Sequence, residues 1–219
     1  MKGIMTMTQK AILFDLDGTL TDSGEGIINC ASLALAHFGL PVSEREAMHV
    51  FIGPPLRDTL MKFGVKPEDV EEAMTVFRSR YLTKGKYENK PYPGIRELLE
   101  KLRAQGHKLY VATSKPEIQA VDVLEHFDLA KYFDIIAGAT MDKARDSKAA
   151  VIAYLKEQAG DMAASIMIGD TAFDVTGAAA HGIPTIGVAW GYGKVADMEA
   201  SGAVAIAQDP EELFELLQK

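Results

Sequence analysis

Five short apolar runs limit most strongly what this chain can fold into. They are Ala11-Ile12-Leu13-Phe14, Leu109-Tyr110-Val111-Ala112, Ile135-Ile136-Ala137, Ile166-Met167-Ile168 and Thr185-Ile186-Gly187-Val188. Each runs into a small or acidic residue. Unbroken apolar character, rather than alternation, suits strands buried on both faces of a parallel sheet. Helical patterns lie between them. Gly94 to Leu102 carries apolar residues at helical spacing and is followed by Gly106 as a stop, and Ser147 to Gln158 and Phe173 to Ala180 read the same way. Strands alternating with helices predict a doubly wound α/β fold.

One stretch breaks the rhythm. From Thr21 to Pro91 the patterns are helical, over Ile27 to Phe38, Glu44 to Val50, Leu56 to Phe63 and Pro67 to Leu82, and the stretch closes on Pro91-Tyr92-Pro93-Gly94. The reading is a small all-helical cap domain, residues 21–91, inserted after strand 1 into a core made of 1–20 and 92–219.

Ligands of open parallel sheets bind beyond the carboxyl ends of the strands. Asp15, Thr113 and Asp170 each stand at such an end. Asp15 and Asp17, two apart after a strand, share a side if the strand continues. With Asp170 and Asp174 they would form a dense negative cluster, which is costly without a cation. A few hard oxygen ligands suit Mg²⁺ completed by water and phosphate oxygens.

These residues also carry a resemblance. Asp15-Leu16-Asp17-Gly18-Thr19 resembles the first signature of the haloacid dehalogenase superfamily, and Val111 to Pro116 its second motif. Lys148 resembles the third-motif lysine. Ile168-Gly169-Asp170-Thr171-Ala172-Phe173-Asp174 resembles the fourth motif. The helical stretch is similar to the family's C1 cap. Asp15 through Ser23, Gly53-Pro54-Pro55-Leu56-Arg57 and Tyr92-Pro93-Gly94 are similar to the phosphoglycolate-phosphatase-like and 5′-nucleotidase-like members.

The resemblance implies a Mg²⁺-dependent phosphatase acting on a small-molecule phosphomonoester. Asp15 would be the nucleophile that forms an aspartyl-phosphate, and Asp17 the general acid and base. Gly18, Thr113, Ser114 and Lys148 would hold the transferring phosphate. Asp15, the main-chain carbonyl of Asp17 and Asp170 would hold the metal, with Asp174 supporting the metal shell or Lys148. Arg57 in the cap would meet the distal end of the substrate. The third-motif region, Asp142 to Lys148, lacks the prolines of many relatives. Lys148 is preferred because it can open a helix facing the sheet edge, and Lys143 stays open as the alternative. Ser114 stands where many phosphoglycolate-phosphatase-like proteins have Asn. Lys115 divides evenly between a site and a surface role. A sugar-phosphate mutase of the same superfamily would share all four motifs, and a phosphonate hydrolase would further need a cap lysine.

The remaining composition excludes other classes. A net charge of −8 disfavours a nucleic-acid polymer as partner, because such a surface needs a basic face. Cys30, the only cysteine, sits in an apolar helical run and reads as a small buried hydrophobe in a reducing, cytoplasmic setting. Met1 to Gln9 lacks a long apolar run, so no signal peptide is expected, and no run is long enough for a membrane span. Monomer and homodimer both fit the sequence.

Overall fold

The computed structural model describes residues 10–142, 144–160, 162 and 164–219. The expectations for Met1 to Gln9 and for Lys143 lie outside the described residues. Strand β1 (Ala11–Phe14) leads through a tight turn to β2 (Thr21–Asp22). Helices α1 (Gly24–His37), α2 (Leu56–Lys62) and α3 (Val70–Tyr81) follow, and β3 (Lys90–Pro91) brings the chain back. The remainder alternates as expected: α4 (Ile95–Ala104), β4 (Lys108–Pro116), α5 (Glu117–His126), β5 (Ile135–Ala139), α6 (Lys148–Ala159), β6 (Ser165–Gly169), α7 (Ala172–Ala179), β7 (Thr185–Val188), α8 (Val195–Ala200), β8 (Ala205–Ala207) and α9 (Pro210–Leu217).

The main sheet is parallel and runs β5-β4-β1-β6-β7-β8. It is the expected doubly wound sheet. Residues alternate between its two faces. Ile12 and Phe14 pack into one core with Leu98 and Leu102 of α4, Val123 of α5 and Leu213 of α9. Ala11 and Leu13 pack into the other, with Val151 and Leu155 of α6 and Ala178 of α7. The four large apolar side chains of α4 (Ile95, Leu98, Leu99, Leu102) are all buried. Each contributes roughly 1.5–3 kcal/mol by leaving water.

The register of the central strands decides what converges. Phe14 lies opposite Val111 on one side and Ile168 on the other. The next residues at the sheet edge are therefore Asp15, Ala112 and Gly169, with Thr113 and Asp170 one step further on. Residues distant in sequence reach one edge because the sheet is parallel and in register.

The helices between β2 and β3 have a core of their own. It includes Ile27, Leu35, Met48, Leu60, Phe77 and Tyr81. Cys30 is fully buried there, as expected. Two expected elements differ in detail. Glu44 to Val50 forms a 3₁₀ helix, Arg45–Phe51, rather than an α-helix, and Pro67 to Leu82 begins as a 3₁₀ turn, Pro67–Asp69, before α3. The proline at the first position of that turn has no N–H to give, which suits a helix start. Both crossings between the helices and the sheet pass through one short antiparallel ribbon, where Thr21 pairs with Pro91 and Asp22 with Lys90. Asp22 belongs to this ribbon and its side chain faces Lys90 Nζ at 3.3 Å. The N-cap of α1 is Ser23, so Asp22 does not cap that helix. Among the described residues no helix is long and apolar enough to cross a membrane.

Candidate active site

Asp15 and Asp17 leave β1 on the turn that returns to β2. Asp170 follows β6, and Asp174 sits in the first turn of α7. All four are buried. Carboxylate oxygens of Asp15, Asp170 and Asp174 lie within 4.8 Å of one another. Lys148 opens α6, behind a Ser147 N-cap whose hydroxyl accepts from Ala150 N–H. Its buried Nζ lies 2.9 Å from Asp15 Oδ1 and 2.8 Å from Asp174 Oδ1, and donates to Ala112 O at 2.8 Å. The other oxygen of Asp174 accepts from the Thr171 N–H and hydroxyl at 3.0 and 2.8 Å. Asp174 is thus spent on its own helix cap and on orienting Lys148.

Asp170 is held from several sides. Oδ1 accepts from Thr19 Oγ1 at 3.3 Å and Oδ2 from Tyr192 N–H at 2.8 Å. Three glycines crowd it. A Cβ on Gly18 would fall 2.2 Å from Asp170 Oδ2, on Gly191 2.3 Å from its Cβ, and on Gly193 1.9 Å from its main-chain oxygen. Gly18 is therefore required for close approach, and its φ of +88° lies in the left-handed region. Its N–H donates to Thr21 O at 2.9 Å. The turn back to β2 takes that donor.

Thr113 is buried, and its Oγ1 accepts from Lys115 N–H at 3.2 Å. Lys115 was the even case in the sequence, and the structure puts it in the site. β4 continues to Pro116 with a break in register after Ala112, and Thr113 and Lys115 both line the site there. Lys115 Nζ lies 2.5 Å from Asp17 Oδ2 and 5.1 Å from the centre of the Tyr81 ring, a residue of α3. Asp17 Oδ1 is buried with no hydrogen-bond partner among the described residues.

The electrostatics follow from four carboxylates facing two ammonium groups. Burial pushes the Asp15 carboxyl up to about 6; Lys148 opposes the shift and Asp174 adds to it. Burial also raises Asp170 well above the usual carboxylate range, with Asp174 and Asp15 adding to it. Burial disfavours the charge on Lys148, but Asp15 and Asp174 override it and hold the ammonium protonated. Desolvation and like charge of this size favour a bound cation. The donors are hard oxygens, which suits Mg²⁺ rather than a soft metal. The residues present therefore fit a Mg²⁺ ion, with Asp15 and Asp170 better placed to ligate than Asp174.

A cavity of about 390 Å³ opens in front of this cluster. Asp15, Asp17, Thr113, Ser114 and Lys115 line it from the sheet edge. The helical side supplies Phe51, Leu56 and Phe77 together with two arginines, Arg57 and Arg78. Arg57 is bound by Glu71 of α3. Sequence reasoning named Arg57 and left Lys115 even, but named neither Arg78 nor the Gly191-Tyr192-Gly193 loop. Glycines flanking one aromatic after a strand were the available signal for that loop. Arg78 had none, since only the tertiary placement of α3 brings its side chain to the cavity.

The family model described as haloacid dehalogenase-like hydrolase matches residues 12–188. The chain belongs to the haloacid dehalogenase-like hydrolases. It is similar to the 5′-nucleotidase of Pseudomonas aeruginosa, with 39% identity covering 94% of this chain and 95% of that protein. It is also similar to the tyrosine-protein kinase PtkA of Mycobacterium tuberculosis, with 42% identity over 94% of this chain and 72% of that protein. Among solved structures, a predicted phosphatase from Clostridium acetobutylicum superposes with a TM-score of 0.92 at 39% identity, covering 95% of this chain and 98% of that one. By the family model, the 5′-nucleotidase and the solved phosphatase, the chain is an enzyme of the family's phosphatase kind.

Proposed function

We propose that this protein is a Mg²⁺-dependent phosphatase that hydrolyses a small phosphomonoester through an aspartyl-phosphate on Asp15, with 21–91 as its cap and 1–20 with 92–219 as its hydrolase core. The observation that carries this reading is the placement of Asp15 and Asp17 together in one cavity wall, with Lys148 Nζ 2.9 Å from Asp15. Asp15 attacks phosphorus; the new O–P bond forms as the bond to the leaving oxygen breaks. Asp17 gives that oxygen a proton, then takes one from the water that attacks the aspartyl-phosphate and releases inorganic phosphate. Its unpartnered Oδ1 is the atom available for this proton. Lys148, Thr113 and Ser114 hold equatorial phosphate oxygens. Lys148 is fixed for this by Asp174, which supports it over Lys143. A Mg²⁺ ion held by Asp15, Asp170 and the Asp17 carbonyl would supply charge neutralisation and orientation.

Arg57 and Arg78 support a leaving group that carries an anion, a carboxylate or a second phosphate, next to a short apolar stretch. That favours substrates of the phosphoglycolate kind over nucleoside monophosphates. The protein would act as a monomer or homodimer on small molecules.

The test is Mg²⁺-dependent phosphate release from p-nitrophenyl phosphate and from phosphoglycolate, with the phosphoenzyme trapped by acid quench. Chelation by EDTA should silence the enzyme and excess Mg²⁺ restore it. Asp15→Asn should abolish both turnover and trapping. Activity that survives in Asp15→Asn or in EDTA would sink the reading. Release to water, rather than transfer to a second sugar hydroxyl or from ATP to a tyrosine, separates hydrolysis from a mutase and from a kinase.

A further inference from the structure

Tyr192 touches the acidic site with its main chain and the cap connection with its side chain. Its N–H donates to Asp170 Oδ2 at 2.8 Å. Its hydroxyl donates to Asp22 Oδ1 and accepts from Gly24 N–H at 2.7 Å. Asp22 lies on the ribbon through which both crossings pass, and Gly24 is the first residue of α1.

The contact is tightly built at both ends. Gly191 and Gly193, on either side of Tyr192, fit against Asp170 only because they lack a Cβ. A Cβ on Gly24 would lie 2.6 Å from the Tyr192 hydroxyl. The phenol ring packs against His49 of the cap at 5.2 Å between ring centres. A rigid ring with two χ angles therefore spans from a candidate cation ligand to the base of the cap.

We propose that Tyr192 is a positioning residue that couples the cation on Asp170 to the setting of the cap ribbon. This rests on the reading of Asp170 as a cation ligand. Tyr192 N–H and the cation share one carboxylate, so a change in where that carboxylate sits moves the Tyr192 main chain. The phenol passes the change to Asp22 and to the Gly24 amide. Coupling of this kind is reciprocal: a cap held in its substrate-bound setting favours the cation by the same factor. The Tyr192 hydroxyl makes no contact with Asp170, so this role needs no direct part in ligation.

The Gly24 amide reports on the contact directly, because the Tyr192 hydroxyl is its acceptor. Amide hydrogen exchange at Gly24, read by NMR with and without Mg²⁺ and with no substrate present, tests the proposal. Cation binding is followed separately by calorimetry and by the fluorescence of Trp190, the only tryptophan in the chain, whose Nε1 donates to Thr19 O at 3.1 Å. In the wild type, Mg²⁺ should slow Gly24 exchange by about fivefold or more. In Tyr192→Phe, Mg²⁺ should still bind, and the Gly24 response should fall below about twofold. Asp22→Ala should lose the response with the hydroxyl intact. Asp22→Asn, which keeps the acceptor oxygen, should retain it. If Mg²⁺ binds but leaves wild-type Gly24 unaffected, or protects it equally in Tyr192→Phe, the coupling is wrong and the phosphatase reading stands. If no cation binds to the wild type, the coupling and the metal reading fall together.

Discussion

Lys115 Nζ lies 2.5 Å from Asp17 Oδ2, and both side chains are buried. The lysine comes from the end of β4 and the aspartate from the turn after β1. The ring of Tyr81 of α3 lies under the same ammonium. The carboxylate proposed to move a proton is therefore held by a lysine of β4 that lies over Tyr81 of α3.

Removing one partner of a buried pair leaves a stranded charge, at about 3–5 kcal/mol. Lys115→Met should destabilise the protein by an amount of that order in urea unfolding. Combining it with Asp17→Asn should recover much of the loss, because the stranded charge is gone. Additive losses in the double variant would show that the two groups do not act as a pair.

Arg78 has no ion-pair partner among the described residues, and burial and neighbouring Arg57 both lower its pKa. A hydrogen bond to a charged group is worth about 1.5–3 kcal/mol, roughly ten- to a hundredfold in kcat/KM. Arg78→Met should lower the ratio of kcat/KM for phosphoglycolate over p-nitrophenyl phosphate by at least about tenfold. An unchanged ratio would remove the anionic leaving group from the proposal.

Glu88, just before β3, ties α3 to α1. It accepts from Arg80 at 2.7 and 2.9 Å and from Asn29 at 3.2 Å. Arg80 holds its carboxyl down at about 2, against an ordinary value of 4.5. A depressed carboxylate adds stability above its unfolded value and loses it as pH falls towards the folded one. The Tm difference between wild type and Glu88→Gln should be full above about pH 4.5 and shrink steadily towards pH 2. A difference that stays constant over that range would show that the ionised pair is not its source.

Gly26 in α1 offers a contest of two effects. Alanine in a helix is favoured over glycine by about 0.8–1 kcal/mol. A Cβ at Gly26, however, would lie 1.9 Å from the Gly85 carbonyl oxygen. That is backbone, which cannot rotate aside, and such overlap costs about 1–3 kcal/mol. Gly26→Ala should therefore lower Tm. A rise would mean that the two segments part at little cost.

The sheet was legible because its strands are buried on both faces and so read as unbroken apolar runs. β8 and α8 carry weaker patterns, and the ribbon of β2 and β3 spans two residues on each side, too few to leave a periodic signal. In the site, Asp15, Asp17, Asp170 and Asp174 could be named because their chemistry is clustered along the chain at strand ends. Lys148 could be named because it opens a helix there.

The sequence by itself determined the five central strands, their alternation with helices, the acidic residues at the strand ends and the likeness to haloacid dehalogenase-like hydrolases. Only the tertiary structure decided that Lys115 faces Asp17, that Arg78 joins Arg57 over the cavity, and that Gly18 packs against Asp170. It also decided that Tyr192 reaches from Asp170 to the ribbon of β2 and β3. The physical reason is separation along the chain. A local pattern fixes which face of its own element a side chain occupies. What that face meets is set by sheet register and by the packing of the helices over it, and neither is written in any one segment.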